Sequence, residues 1–120
     1  MSSTPEPRPT YVYKILSSPP IEPFPIQYPL SELDAKDGFV HLSTAMQVPN
    51  TADLFFTETP TLWIVKFKLA KLEDPIKWEN GFPHLYGNFG ARDVVSFAKF
   101  DRREGQRWVE WMLDVDWLEW

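Results

Sequence analysis

Two short stretches hold most of the side chains that could move a proton or grip a polar ligand near neutral pH. The chain has only two histidines, His41 in "GFVHLST" (38–44) and His84 in "KWENGFPHLYG" (77–87). In an extended strand side chains alternate faces, so His41 shares a face with Ser43 while Val40 and Leu42 point to the other. An imidazole beside a hydroxyl offers both donor and acceptor capacity, which suits a ribose diol or an amide. A plainer reading makes His41 a partly buried histidine bonded to a backbone carbonyl, with Ser43 capping the turn that follows. The pattern alone leaves both open.

The second stretch gathers Glu79, His84 and Tyr86 around a turn. Glu79 could orient a sugar hydroxyl or act as a base, and His84 could give or take a proton. Tyr86 could stack on a planar ring or donate its hydroxyl. Pro83 stiffens the segment that presents His84, while Gly87 and Gly90 permit close approach of backbone or ligand. Glu79 and His84 are thus the catalytic candidates. The alternative is an aromatic plug with Trp78, Phe82 and Tyr86 in the core, and for Trp78 and Phe82 the size of the rings favours it.

Other chemistries lack support. A two-histidine, one-carboxylate metal site using Glu79 or Asp37 has no short ligand spacing such as HExxH, so no metal is expected. Neither Ser43 nor Ser96 sits in a GxSxG elbow. The chain has no cysteine, which removes thiolate nucleophiles, disulfides and cysteine-ligated metals. A net charge of -5 without a Lys/Arg cluster argues against long nucleic acids and anionic membranes. It leaves room for a nucleotide in a pocket. No apolar run approaches the roughly 20 residues of a membrane span, and "MSSTPEPRPT" lacks the apolar centre of a signal peptide. A cytoplasmic protein is the expectation.

The elements that position these residues read as one small α+β domain over 11–120, behind a disordered, Pro-rich leader at 1–10. With 43% hydrophobic residues, six Trp and nine Phe, its core is expected to be built largely from rings. "YVYKIL" has strand density. Prolines at 19, 20, 23, 25 and 29 then forbid a regular helix and leave an ordered loop or a flap. "LSELDAKDG" reads as turn chemistry before a strand over 39–42, and Thr44 with Gln47 has capping-box form ahead of a short helix near Pro49. "TLWIVKFKL" is the clearest strand. "IKWE" is a shorter one closed by Asn80-Gly81, a strong hairpin dipeptide, and "FPHLYGNFGARD" reads as irregular. "VVSFAKF" is a further strand. Trp108, Trp111, Met112 and Val115 form the stripe of an amphipathic C-terminal helix, whose acidic residues belong to its solvated face, and its Trp117–Trp120 end is expected to pack.

The motifs "YKIL", "DGFVHLST" with "QVP", "LWIVKFKLAKL", "IKWE" and "FPHLYG" follow one another as in the domain of unknown function 952 family, which the chain resembles from about Tyr13 to about Gly87. That family is similar in fold to NAD-dependent ADP-ribosyltransferases and RNA 2'-phosphotransferases. The resemblance implies an ADP-ribosylation-like split, mixed or antiparallel β-sheet around a cleft that holds NAD. It implies ligand-binding roles for His41 and Ser43, a ring-stacking wall of Tyr86 or Trp78, and Glu79 orienting the ribose. Relatives usually carry a helical segment before "DGFVHLST", which the prolines at 19–29 exclude here. The Trp-rich C-terminus has no counterpart.

Three functions follow as expectations. The first is a transferase acting on NAD or an ADP-ribosyl group in a cleft shared by His41, Ser43, Glu79, His84 and Tyr86. The second is a non-catalytic module for a small nucleotide-like or peptide ligand. The third is a protein-interaction domain working through the proline-rich loop and the Trp-rich C-terminus, with an exposed patch of Trp117, Leu118 and Trp120.

Overall fold

The computed structural model describes residues 4–112 and 114–120. Two three-stranded antiparallel sheets carry short helices in a small α+β fold. The first sheet has the order β1-β3-β6, with β1 at Tyr11–Leu16, β3 at Thr61–Lys68 and β6 at Val94–Asp101. The second has the order β2-β5-β4, with β2 at Val40–His41, β4 at Ile76–Glu79 and β5 at Phe82–Leu85. A single bridge between Tyr13 and Ser43 joins them. Helices α1 (Glu32–Asp37), α2 (Val48–Phe55) and α3 (Trp108–Met112) complete the fold.

As the pattern of "TLWIVKFKL" demands, β3 is the centre of its sheet and is buried on both faces. Leu62 and Ile64 enter one apolar cluster with Tyr13, Val48, Phe100 and Trp108, whereas Val65 and Phe67 enter another with Val12, Val40, Leu85 and Phe89. Each fully buried side chain of this size contributes about 1.5–3 kcal/mol of transfer free energy. Lys66 interrupts the apolar run. Its Nζ lies 2.6 Å from Glu119 Oε2 and sits over the rings of Tyr11 and Trp117, so a 4% exposed cation is both paired and caged.

Several expectations fail for local reasons. "LSELDAKDG" is helix α1, not a turn: Ser31 Oγ accepts from Asp34 N at its start, and Gly38 ends it in the left-handed region at φ 82°. The excluded helical segment therefore exists, displaced beyond the prolines. Part of "FPHLYG" is strand β5, the centre of the second sheet, despite Pro83. In an antiparallel strand the N and O of one residue point to the same side. The Pro83 carbonyl accepts from Leu42 N, so its missing donor also faces β2, where that ladder ends. The C-terminal helix is one short turn with Trp108 and Met112 buried, and Val115 lies beyond it; the Trp111 side chain of the expected stripe lies outside the described residues.

The proline-rich loop is ordered. Tyr28 stacks on Phe89, Phe24 meets Phe97 edge-on, and Pro25 O accepts from Ala91 N. A side chain at Gly90 would collide with the Ile26 carbonyl, so this loop needs glycine beneath it. Of the expected leader, residues 1–3 lie outside the described residues, and its end is held. Thr10 N donates to Trp120 O and Leu69 N to Thr10 O, while Trp120 Nε1 donates to Pro7 O. The Trp-rich end packs: Trp117 meets Tyr13 edge-on and its Nε1 donates to Ser96 Oγ, and Leu118 lies against the first core cluster. The expected patch of Trp117, Leu118 and Trp120 is thus largely turned inward. Among the described residues no helix is long and apolar enough to cross a membrane.

Candidate functional site

The second sheet has one apolar and one polar face. Val40, Leu42, Leu85 and Trp78 turn toward the core. Alternation then sends their neighbours the other way, and the register sets His41 opposite His84 and His84 opposite Lys77. The two imidazole centroids are 5.6 Å apart. Phe39 lies against both, stacked on His84 at 4.1 Å and tilted to His41 at 4.5 Å, and reaches Tyr86 at 5.1 Å.

Each histidine is oriented by carboxylates. Asp34, brought within reach by the capped helix α1, is 2% exposed. Its Oδ2 is 2.6 Å from Lys14 Nζ, and its Oδ1 takes His41 Nδ1 at 2.6 Å and the His41 backbone N–H at 3.2 Å. Burial acts to raise the Asp34 pKa, but the Lys14 charge and the hydrogen bonds from Lys14 and His41 outweigh it and hold the carboxyl below its ordinary value. Asp37 Oδ2 stands 3.0 Å from His41 Nε2. Both ring nitrogens of His41 therefore face a carboxylate oxygen, and both bonds form together only when both nitrogens carry protons.

His84 is held differently. Glu79 Oε1 accepts from His84 Nδ1 at 2.8 Å and from Tyr86 Oη at 2.7 Å. The bond from His84, then that from Tyr86, lowers the Glu79 pKa, and the bond to Glu79 raises that of Tyr86. With Nδ1 donating, Nε2 of the neutral ring is the acceptor, a tautomer assigned from the hydrogen bond. Among the described residues Nε2 has no hydrogen-bond partner. Lys77 Nζ lies 4.4 Å from the centre of the Tyr86 ring.

The structure thus brings His41, Glu79, His84 and Tyr86 onto one face. It takes two expected residues elsewhere. Ser43 is 5% exposed and exchanges backbone hydrogen bonds with Tyr13, because the chain leaves the second sheet there to meet the first. Trp78 packs against the second core cluster, on the face of β4 opposite Lys77 and Glu79. Sequence reasoning passed over Lys14, Asp34, Phe39 and Lys77, and used Asp37 only as a turn residue or metal ligand. The signal for the aspartates was Ser31, a helix-start residue three before Asp34, with Gly38 as the stop.

The imidazoles and Phe39 line neither of two surface grooves, and only the β4 edge of the face reaches one. One, of about 870 Å³, runs round the free edge of β4 beside the N-terminal segment, with Lys77, Trp78 and Glu79 in its wall. Another, of about 610 Å³, lies between α2 and the approach to α3. Among the described residues no group of three or more His, Asp or Glu side chains is arranged to hold a metal ion.

A family model described as "Protein of unknown function (DUF952)" matches residues 25–97. That span holds the whole polar face, and leaves out Lys14 and the Trp-rich end. The crystal structure of protein CC0527 from Caulobacter crescentus superposes with a TM-score of 0.66 at 28% identity, covering 79% of this chain and 90% of that one. Its solution NMR structure gives 0.63 at 29% identity, covering 79% and 88%. No curated protein matches the chain. With more than half its length matched by the model, the chain belongs to the DUF952 family of proteins of unknown function.

Proposed function

We propose that the polar face of the second sheet binds a nucleotide-like ligand, with the ADP-ribosyl part of NAD as first candidate, and that Glu79 and His84 work there as an acid–base pair. The observation that carries this reading is the pair of in-register imidazoles, each oriented through Nδ1 by a carboxylate. A carboxylate that fixes the tautomer leaves His84 Nε2 free to take a proton from an attacking hydroxyl, and stabilises the imidazolium that results. His41, held at both ring nitrogens by Asp34 and Asp37, fixes the edge of the face, Phe39 and Tyr86 offer ring faces, and Ser43 supports the strand end beneath His41. The similarity in fold to NAD-using transferases that the DUF952 resemblance implies suggests the choice of ligand; fold-level likeness does not carry activity by itself.

Calorimetric titration of the full chain with NAD and ADP-ribose tests the proposal. Binding at millimolar ligand or below is expected, with loss in His84→Gln at unchanged folding; no heat at millimolar ligand overturns it. A second reading, a binding module without turnover, draws on the engagement of both His41 nitrogens by aspartates. Retained binding without release of nicotinamide would select it.

A further inference from the structure

We infer that the groove along the free edge of β4 is an anion-binding subsite for a small phosphorylated ligand with a planar ring. Its phosphate lies toward Arg8 and Lys68 and its ring against Trp78. The inference deepens the reading of the polar face and rests on it, because Glu79 and Lys77 belong to both.

Charge is the first argument. The chain carries a formal charge of -5, yet Arg8, Lys68 and Lys77 all line this groove. Among the described residues neither Arg8 nor Lys68 has a carboxylate within ion-pair distance, and Lys77 Nζ is over the Tyr86 ring. The two carboxylates in the wall are engaged elsewhere. Asp74 Oδ2 accepts from Asn88 N at 2.9 Å and lies against Gly87, where any side chain would collide with it, and Glu79 Oε1 takes His84 and Tyr86. The groove therefore sets three cations against two carboxylates that are already hydrogen-bonded, and Arg8 and Lys68 lie in no ion pair.

Shape is the second. A volume of about 870 Å³ lies within the range of small-molecule sites, about 300–1,000 Å³. Trp78 has one side on the core and lines the groove as well, giving a rigid aromatic wall. Because β4 is an edge strand, a ligand can pass round it, phosphate in the groove and sugar at the imidazoles.

The test titrates the full-length chain with AMP, ADP-ribose, inorganic pyrophosphate and an acidic peptide, in wild type, Arg8→Gln/Lys68→Gln and His84→Gln. The inference expects the double variant to weaken AMP and pyrophosphate about tenfold, with a shallower salt dependence. Nucleotide affinity unchanged in the double variant but reduced in His84→Gln overturns the groove and leaves the face. Pyrophosphate and AMP weakened by the double variant, with ADP-ribose indifferent to His84→Gln, supports the groove and removes the face. Binding of the peptide alone, or of nothing, overturns the groove.

Discussion

The two sheets have the same number of strands and the same antiparallel pairing, yet they treat their faces in opposite ways. In the first, β3 buries Leu62 and Ile64 on one side and Val65 and Phe67 on the other, and its polar exceptions are neutralised by Glu119 and aromatic rings. In the second, only one face is apolar, and the other assembles two histidines, a lysine and a glutamate around Phe39. The first sheet holds the fold, and the second leaves one face to polar side chains, the face to which we assign the proposed function. Asp34 spans the division, accepting from Lys14 on β1 and from His41 on β2.

If that division is right, the largest loss of stability comes from the first sheet's inner strand. Phe67→Ala should cost about 4 kcal/mol in urea unfolding, through lost transfer and an uncollapsed cavity. A cost below 1 kcal/mol would mean that the core is not seated there. Next comes the residue that joins the sheets. Asp34→Asn should cost about 3 kcal/mol, because it leaves Lys14 buried and unpaired. The same carboxylate makes stability depend on acid. Its folded pKa lies below the ordinary value, so its contribution is complete above the ordinary carboxylate range and fades as pH falls through the folded value. The acid limb of the wild-type pH–stability curve should therefore flatten in Asp34→Asn.

A smaller effect belongs to the first sheet at the other end of the scale. Burial, against the Glu119 backbone bond, pushes the Tyr13 hydroxyl from 10.0 up to about 12. A raised folded pKa gives stability that is whole below pH 10 and drains away as pH climbs to 12, roughly 2–3 kcal/mol in all. Tyr13→Phe should remove that slope while leaving the acid limb intact. The smallest change in stability is expected in the second sheet: His84→Gln should alter unfolding by less than about 1 kcal/mol while abolishing the proposed ligand binding. A large stability loss there would make the polar face a structural network.

Legibility followed the same division. Strand β3 and the Asn80-Gly81 hairpin were readable because periodicity and turn chemistry are local, and Asn80 and Gly81 indeed take positive φ of 54° and 81°. His41, Glu79, His84 and Tyr86 could be named as candidates because their residue types are rare and reactive. Their sharing of one cleft was expected together with the family resemblance, but the register that sets His41 opposite His84 could not be read locally, since it depends on pairing 43 residues apart. Strand β5 was hidden by Pro83, whose missing donor falls where the neighbouring ladder stops. The aspartates on α1 were hidden by length: six residues give too few turns for a periodic pattern, leaving only the two caps as signals. Ser43 was paired with His41 by assuming an unbroken strand, and the chain instead changes sheets.

The His41 backbone N–H donates to the same Asp34 oxygen that takes its ring. One carboxylate thus connects a contact seven residues away in sequence to Lys14, twenty residues away. The nearer bonds can close as soon as α1 winds, but the carboxylate becomes buried against its cation only when β1 docks. Burial of Asp34 against Lys14 thus ties this part of the polar face to the docking of β1. Solvent exchange at the His41 amide should track global unfolding, not local fraying of the short helix that supports it.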